Sequence, residues 1–273
     1  MIVRIAVVQF RITHLHPSKN FARIETFIQK AKTQHADIVV FPEDCVTGSI
    51  FGDVSRLDTT HATRQAFQKL ASKYRIDVVT GSCMEGTPDG NFNTSYYIDA
   101  QGTVLGTYHK NHLYLSERRF LSAGTVAPVF DTKWGKAAIV ICWDMLFSEI
   151  FQRLMKGGVQ LIYCPSYWYQ EIAESMALQN PRSEEEQMDA LCLTRALETN
   201  SVLIYSNAAG IQRYKNNTRD TLIGHSQITM PVLGTVQKLN HHREQMFVQE
   251  VDLDLLKKAE SIYQTRADFC SSP

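Results

Sequence analysis

The chain has 273 residues, 44% of them hydrophobic, with 28 Lys and Arg set against 28 Asp and Glu. That hydrophobic share supports a sizeable core and excludes a disordered chain. A zero formal charge without a basic stripe argues against nucleic acid as a partner and towards a small molecule.

The opening stretch, Ile2 to Phe10, reads as a first strand. Arg4 interrupts its apolar run and no small-residue cleavage site follows, so it is not expected to be a signal peptide. Phe21, Ile24, Phe27, Ile28 and Ala31 then recur at helical spacing behind Pro17 and Ser18. Ala36 to Phe41 is a buried strand that stops at Pro42-Glu43-Asp44. A helix holding Ala62, Ala66, Phe67 and Leu70 leads to a strand over Ile76 to Ser82. A hairpin follows, Thr94 to Asp99 and Thr103 to Tyr108, and it runs into His109-Lys110-Asn111-His112-Leu113.

The second half repeats this plan. Ala137 to Ile141 is a continuous apolar run, and its β-branched content and flanking Gly135 favour a strand. It ends in Cys142-Trp143-Asp144. Ser148 to Lys156 is a helix and Val159 to Cys164 a strand. A longer helix from about Pro181 to Thr199 opens on Ser183-Glu184-Glu185-Glu186, read as a cap and a solvated face. The strand Ser201 to Asn207 precedes a hairpin of Gly224 to Ile228 with Thr235 to Gln237. Met246 to Asp252 is a closing strand and Leu253 to Ala259 a terminal helix. Two halves of β-α-β units without a linker point to one domain over 1–273. The expected architecture is an α/β, four-layer α-β-β-α sandwich, with two mixed sheets face to face and helices outside.

Cys45, Cys83, Cys142, Cys164, Cys192 and Cys270 are too scattered for a disulfide framework and wrongly spaced for zinc, which fits reduced thiols in a cytoplasmic protein. No apolar run reaches membrane-spanning length. The glycosylation-type triplets Asn93-Thr94-Ser95 and Asn216-Asn217-Thr218 are expected to be chance matches.

Three reactive side chains stand just past apolar segments: Glu43, Lys110 and Cys142. A cysteine at the carboxyl end of a buried parallel strand lies where open α/β sheets place their chemistry, although an arbitrary buried cysteine is more often core filler. A thiol becomes a nucleophile on losing its proton, which needs a base or a cation nearby. Glu43 suits the base. Lys110 suits the cation, and also the partner of an oxyanion.

These segments resemble those of the nitrilase superfamily, the carbon–nitrogen hydrolases, and their amidase-like branch. Phe41-Pro42-Glu43 is similar to the family's general-base segment, Tyr108 to Leu113 to its lysine segment, and Ile141-Cys142-Trp143-Asp144 with Phe147 and Glu149 to its nucleophile elbow. Glu117, in Glu117-Arg118-Arg119-Phe120 with Gly124 beyond, matches the second glutamate that orients lysine and substrate. Arg195 to Asn200, Asn207 to Gly210 and Gly224-His225-Ser226 match structural landmarks. The ordered set spans Gln9 to Gly234.

The resemblance implies hydrolysis of a non-peptide carbon–nitrogen bond through a cysteine thioester, with Cys142 as nucleophile and Glu43 as general base and acid. Lys110 and the Trp143 N–H would hold the oxyanion, with Glu117 orienting. Trp143 and Trp168 are the expected substrate-positioning aromatics, Trp168 lying with Tyr167 and Tyr169 in a loop after a strand. The loops Val46 to Asp58 and Tyr167 to Met176 should build the pocket. The expected substrate is a small linear amide or N-carbamoyl amine, and no cofactor or metal is expected. A homodimer or larger homo-oligomer is implied by resemblance alone. Leu146 and Ser148 depart from the family pattern after the elbow; the lost proline should loosen the next helix start, and Leu146 should alter the pocket wall.

Nitrile hydrolysis by the same residues is the nearest alternative. A serine hydrolase lacks its G-x-S-x-G here. The pairs His14 and His16, His109 and His112, and His241 and His242 lack a consistent carboxylate partner for a metal, and His109 and His112 read as packing residues. A binding protein that keeps the fold without turnover should have lost a catalytic residue, and none is missing.

Overall fold

The computed structural model describes residues 1–214 and 218–271. In the first half of the chain, the strands are β1 (Ile2–Gln9), β2 (Ile38–Val40), β3 (Asp77–Val79), β4 (Cys83–Thr87), β5 (Gly90–Ile98) and β6 (Val104–His109), with helices α1 (Pro17–Thr33) and α2 (Ala62–Tyr74). In the second half they are β7 (Phe130–Thr132), β8 (Gly135–Ile139), β9 (Leu161–Ser166), β10 (Val202–Asn207), β11 (Ile211–Arg213), β12 (Arg219–Thr221), β13 (Gln227–Met230), β14 (Gly234–Lys238) and β15 (Gln245–Asp252). The accompanying helices are α3 (Ser148–Lys156), the single turn α4 (Glu174–Ala177), α5 (Ser183–Thr199), α6 (Asp254–Tyr263) and α7 (Thr265–Ser271).

The first sheet has the order β15-β1-β2-β3-β5-β4, with β6 also on β5; the second has the order β14-β13-β10-β9-β8-β7. Each has a parallel centre, β1-β2-β3 in one and β8-β9-β10 in the other, with antiparallel flanks. The pseudo-repeat expected from the sequence is therefore present in the strand pairing. The closing strand β15 runs antiparallel to β1 from Ile2 opposite Asp252 to Gln9 opposite Gln245. The two ends of the chain thus share one sheet.

Period-two alternation assigns each face. Val3, Ile5 and Val7 of β1 enter the core between the sheets, while Ala6 and Val8 pack beneath Ile24, Ile28, Phe67 and Ala71 of α1 and α2. On the other side, Ile150, Phe151 and Leu154 of α3 and Met188, Cys192 and Ala196 of α5 join the core built on β8 to β10. Rings from both sheets meet between them, with Tyr97 5.6 Å from Tyr163. Ser206 donates across the gap to the Val8 carbonyl at 2.9 Å. Buried apolar side chains are worth roughly 1.5–3 kcal/mol each, so this double-sided burial is the main stabilising term. The four-layer sandwich is as expected, and among the described residues no helix is long and apolar enough to cross a membrane.

Local readings needed correction. The strand expected over Ile76 to Ser82 forms only at Asp77–Val79, because Gly81 turns there. Strand β4 and the small sheet of β11 and β12 carry too few apolar residues to have been foreseen. Helix α5 begins at Ser183 after Arg182, and no side chain caps it. Its acidic run is not wholly solvated, since Glu184 is buried and accepts from Trp168 Nε1 at 2.7 Å. Asn93, Thr94 and Ser95 are fully buried, so that triplet is no acceptor site. Asn216 and Asn217 of the other lie outside the described residues.

Candidate active site

Strand β2 ends at Val40, and the chain then passes so close to Gly81 that a Cβ there would lie 2.1 Å from the Pro42 carbonyl oxygen. Only glycine permits this approach, at its φ of +71°. Glu43 is thereby held in the interior, accepting from the Tyr167 N–H at 2.9 Å and from Asn93 Nδ2 at 2.9 Å. Lys110 follows directly on β6, its N–H donating to the Asn93 carbonyl and its own carbonyl accepting from the Gly124 N–H, both at 2.9 Å. Gly124 is a second required glycine, since a Cβ would stand 2.2 Å from the His109 carbonyl oxygen.

Lys110 Nζ lies 2.8 Å from Glu43 Oε1 and 2.9 Å from Glu117 Oε2. Glu117 opens a short 3-10 turn and is itself fixed, accepting from the Tyr114 N–H at 2.6 Å and from Asn93 Nδ2 at 3.1 Å. One asparagine therefore bridges both carboxylates, and one ammonium lies between them. A buried charge is tolerated when paired and hydrogen-bonded in this way.

Cys142 begins a 3-10 turn, Cys142–Leu146, three residues beyond the end of β8. Its φ is +48°, a left-handed conformation that costs a non-glycine residue roughly 1–3 kcal/mol and persists only where the surroundings impose it. Those surroundings are visible. Asp144, fully buried, accepts from the Ile141 N–H at 2.9 Å, the His112 N–H at 2.8 Å and the Tyr108 hydroxyl at 2.6 Å. Arg195 donates twice to the Met145 carbonyl, each at 3.1 Å. The elbow is tied to the lysine segment by one residue and to α5 by the other. The Trp143 N–H is among the first amides of this turn, which have no intrahelical acceptor.

Burial is the largest influence on all three reactive groups. It raises the Glu43 carboxyl above the ordinary carboxylate range, with Lys110 opposing and Glu117 adding to the rise. It pushes the Cys142 thiol well up, reinforced by the Glu43 charge and opposed by Lys110. For Lys110 burial acts downward, but the nearby Glu117, Glu43 and Cys142 outweigh it and hold the ammonium well above its usual value. In the resting protein, then, Lys110 is charged and Cys142 is a thiol beside a carboxyl group of elevated pKa.

These residues line one narrow cleft with a cavity volume of about 100 Å³. Ser49 and Phe51 from the first expected loop and Tyr167, Tyr169 and Ile172 from the second form its walls, with Tyr114 and Trp143. Trp168 is not on this wall. It is buried behind Trp143, with ring centroids 5.4 Å apart, because Asn207 Oδ1 fixes its N–H at 2.8 Å and Glu184 takes its indole. Leu146 also misses the cleft and lines a neighbouring groove with Met176. Helix α3 starts at Ser148 without the proline. His112 stacks on Phe147 at 3.7 Å and His109 contacts Thr94 and Phe92, which are packing and hydrogen-bonding roles.

Sequence reasoning missed Asn93 and Asp220, and noted Asp144 and Asp44 without giving either a task. Asn93 was visible only as the first residue of a spurious triplet. Asp144 was seen as part of the elbow and given no task. Asp220 sits on a short polar strand with no pattern to mark it.

A family model described as carbon-nitrogen hydrolase matches residues 4–260. A 2-oxoglutaramate amidase of Bacillus subtilis is 27% identical over 253 residues, 91% of this chain and 90% of its own. An N-carbamoylputrescine amidase of Oryza sativa is 28% identical over 271 residues, 93% of this chain and 87% of its own. The crystal structure of a carbon-nitrogen hydrolase from Helicobacter pylori superposes with a TM-score of 0.89 at 18% identity, covering 98% of this chain and 95% of that one, which shows the shared fold.

Proposed function

Because the chain belongs to the carbon–nitrogen hydrolase family, we propose that it hydrolyses a small linear amide or N-carbamoyl amine through a thioester on Cys142. The observation that carries this is the placement of Lys110 Nζ between Glu43 and Glu117 on the same cleft as a cysteine in a left-handed turn. Glu43 takes the Cys142 proton as sulfur attacks the carbonyl carbon. Lys110 and the Trp143 N–H stabilise the negative charge that moves onto oxygen. The C–N bond breaks as Glu43 returns the proton to the departing nitrogen. Water then attacks the thioester, with Glu43 as base, and the carboxylic or carbamic acid leaves a free thiol. Glu117 and Asn93 keep Lys110 pointed at the oxygen, and Trp143 shapes the wall beside it, with Trp168 acting through Trp143.

A panel of simple amides, N-carbamoyl amines and nitriles, scored by ammonia release, tests the proposal. Amides or N-carbamoyl amines should react; release from nitriles alone would replace it with nitrile hydrolysis.

The pH profile gives a second test. A base must be ionised to act, and Glu43 is held above the usual carboxylate value of roughly 4.3, chiefly by burial. The acid limb of kcat/KM should therefore fall above that value. Lys110 must stay protonated and is held well above its ordinary value, so no alkaline loss from it is expected below about pH 10. An acid limb at or below pH 4 would remove Glu43 from the role of base.

The reading includes a single domain over 1–273, a cytoplasmic location and a homodimer or larger homo-oligomer. The core shared by both sheets supports the first, and the free cysteines support the second. Size-exclusion chromatography with light scattering tests the third.

A further inference from the structure

His112 does not line the cleft, yet it is tied to the nucleophile turn by more than packing. Its ring Nδ1 lies 3.1 Å from Asp144 Oδ1, and its Nε2 lies 3.1 Å from Glu149 Oε1. A carboxylate only accepts hydrogen bonds, so both ring nitrogens must donate, which a neutral imidazole cannot do. The ring lies flat against Phe147, with centroids 3.7 Å apart and planes 4° apart. The His112 N–H also donates to Asp144 Oδ1, at 2.8 Å. The other Asp144 oxygen accepts from the Tyr108 hydroxyl at 2.6 Å and the Ile141 N–H at 2.9 Å, and that hydroxyl accepts from the Asn111 N–H at 3.2 Å. Tyr108, Asn111 and His112 flank Lys110 on both sides. One buried carboxylate therefore joins the lysine segment to the turn that carries Cys142, and of its donors only the His112 ring can carry a charge.

A buried anion without a counter-charge is costly. Asp144 sits in the same turn as Cys142, where negative charge develops on sulfur and then on the substrate oxygen, and a bare carboxylate there opposes both. An imidazolium bonded to it cancels that charge. Resting on the thiol-hydrolase reading, we propose that His112, charged between Asp144 and Glu149, is a positioning residue of the reaction: it neutralises Asp144 and through it holds the Lys110 segment against the Cys142 turn, without touching substrate. The charged groups that reach the ring are Asp144 on the elbow turn and Glu149 on α3, while Phe147 covers it with an apolar face. The bond to Asp144 is the largest influence on the imidazole; burial opposes it, and the Asp144 and Glu149 charges add to it, which holds the ring above its ordinary value of roughly 6.5. The positive charge is thus complete below roughly pH 6.5 and is lost as the pH rises through the raised value.

The test follows the ratio of wild-type to His112→Gln rates across pH. Glutamine keeps a neutral donor for Asp144 and never carries a charge. The kcat ratio should be about tenfold near pH 6, the scale of a charge-assisted bond, and fall towards one by about pH 10, with KM within about twofold throughout. A merely structural role gives a ratio that does not change with pH, and that result overturns the proposal, as does a loss confined to KM. Glu149→Gln removes one of the two charges that hold the proton, so the alkaline decline of kcat should move to lower pH than in the wild type. A decline that stays in place, or none below about pH 10, overturns the proposal, and this arm stands even if His112→Gln does not fold. The rate at which iodoacetamide alkylates Cys142, read by mass spectrometry of its peptide, needs no turnover, and its wild-type to His112→Gln ratio should follow the same course. A flat ratio there overturns the proposal. The expected course, combined with no ammonia release by the wild type from any amide or N-carbamoyl amine, would refute the hydrolase reading alone.

Discussion

Cys142→Ala is expected to abolish ammonia release while leaving the protein folded. The side chain contributes one sulfur to a site otherwise built from Glu43, Lys110 and Glu117, and none of the contacts that shape the elbow run through it. Asp144 and Arg195 hold the turn from either side by bonds to backbone N–H, hydroxyl and carbonyl groups. Alanine tolerates the φ of +48° no worse than cysteine, so the cost in stability should be about 1 kcal/mol. Removing a covalent nucleophile costs far more in rate, on the order of 10⁴-fold or greater, because the remaining groups act only through it. A melting temperature close to wild type with no detectable turnover is the expected pair of results. Turnover within tenfold of wild type would remove Cys142 from the mechanism, as would a failure of the wild type to form a mass adduct at this residue with a substrate whose thioester hydrolyses slowly.

Lys110→Met should damage stability and activity together, and in separable ways. The lysine is 2% exposed and balances two carboxylates at 2.8 and 2.9 Å. Breaking a buried ion pair by deleting one partner typically costs about 3–5 kcal/mol, since the other charge is left without compensation. For a chain of this size that lowers the melting temperature by about 10 °C. The sign of the pH dependence follows from the same pair. Without the ammonium, Glu43, already raised by burial, must take up a proton or stay buried as an uncompensated anion. The destabilisation should be greatest at neutral pH and shrink as the pH falls through the carboxyl values. Lys110→Met combined with Glu43→Gln and Glu117→Gln should regain most of the stability and none of the activity. If the triple variant melts as low as the single one, uncompensated charge is not the cause.

Much of the site was readable along the chain because its groups follow apolar segments whose periodicity is clear. Glu43 ends the run Ile38 to Phe41, Lys110 follows a hairpin arm, and Cys142 closes the run Ala137 to Ile141. Burial on both faces of a parallel centre demands such continuous apolar stretches, so they mark themselves in sequence. Asn93 left no such signal. It faces inward from β5 and meets Glu43 and Glu117 only because Thr94 pairs with His109 across the hairpin. Trp168 shows the opposite error, an aromatic residue in the right loop whose ring is turned away by Asn207 and Glu184.

What the sequence by itself determined was the class of fold, the pseudo-repeat and the identity of the residues fit for thiol chemistry, since hydrophobic period and side-chain reactivity are local properties. Tertiary structure alone decided three further things. It brought the first and last strands into one sheet, set one ammonium between two carboxylates through a shared asparagine, and placed Asp44 and Asp220 on the wall of one cleft. Each depends on contacts between segments tens to hundreds of residues apart, which a local pattern does not encode and which packing fixes once both sheets close on their common core.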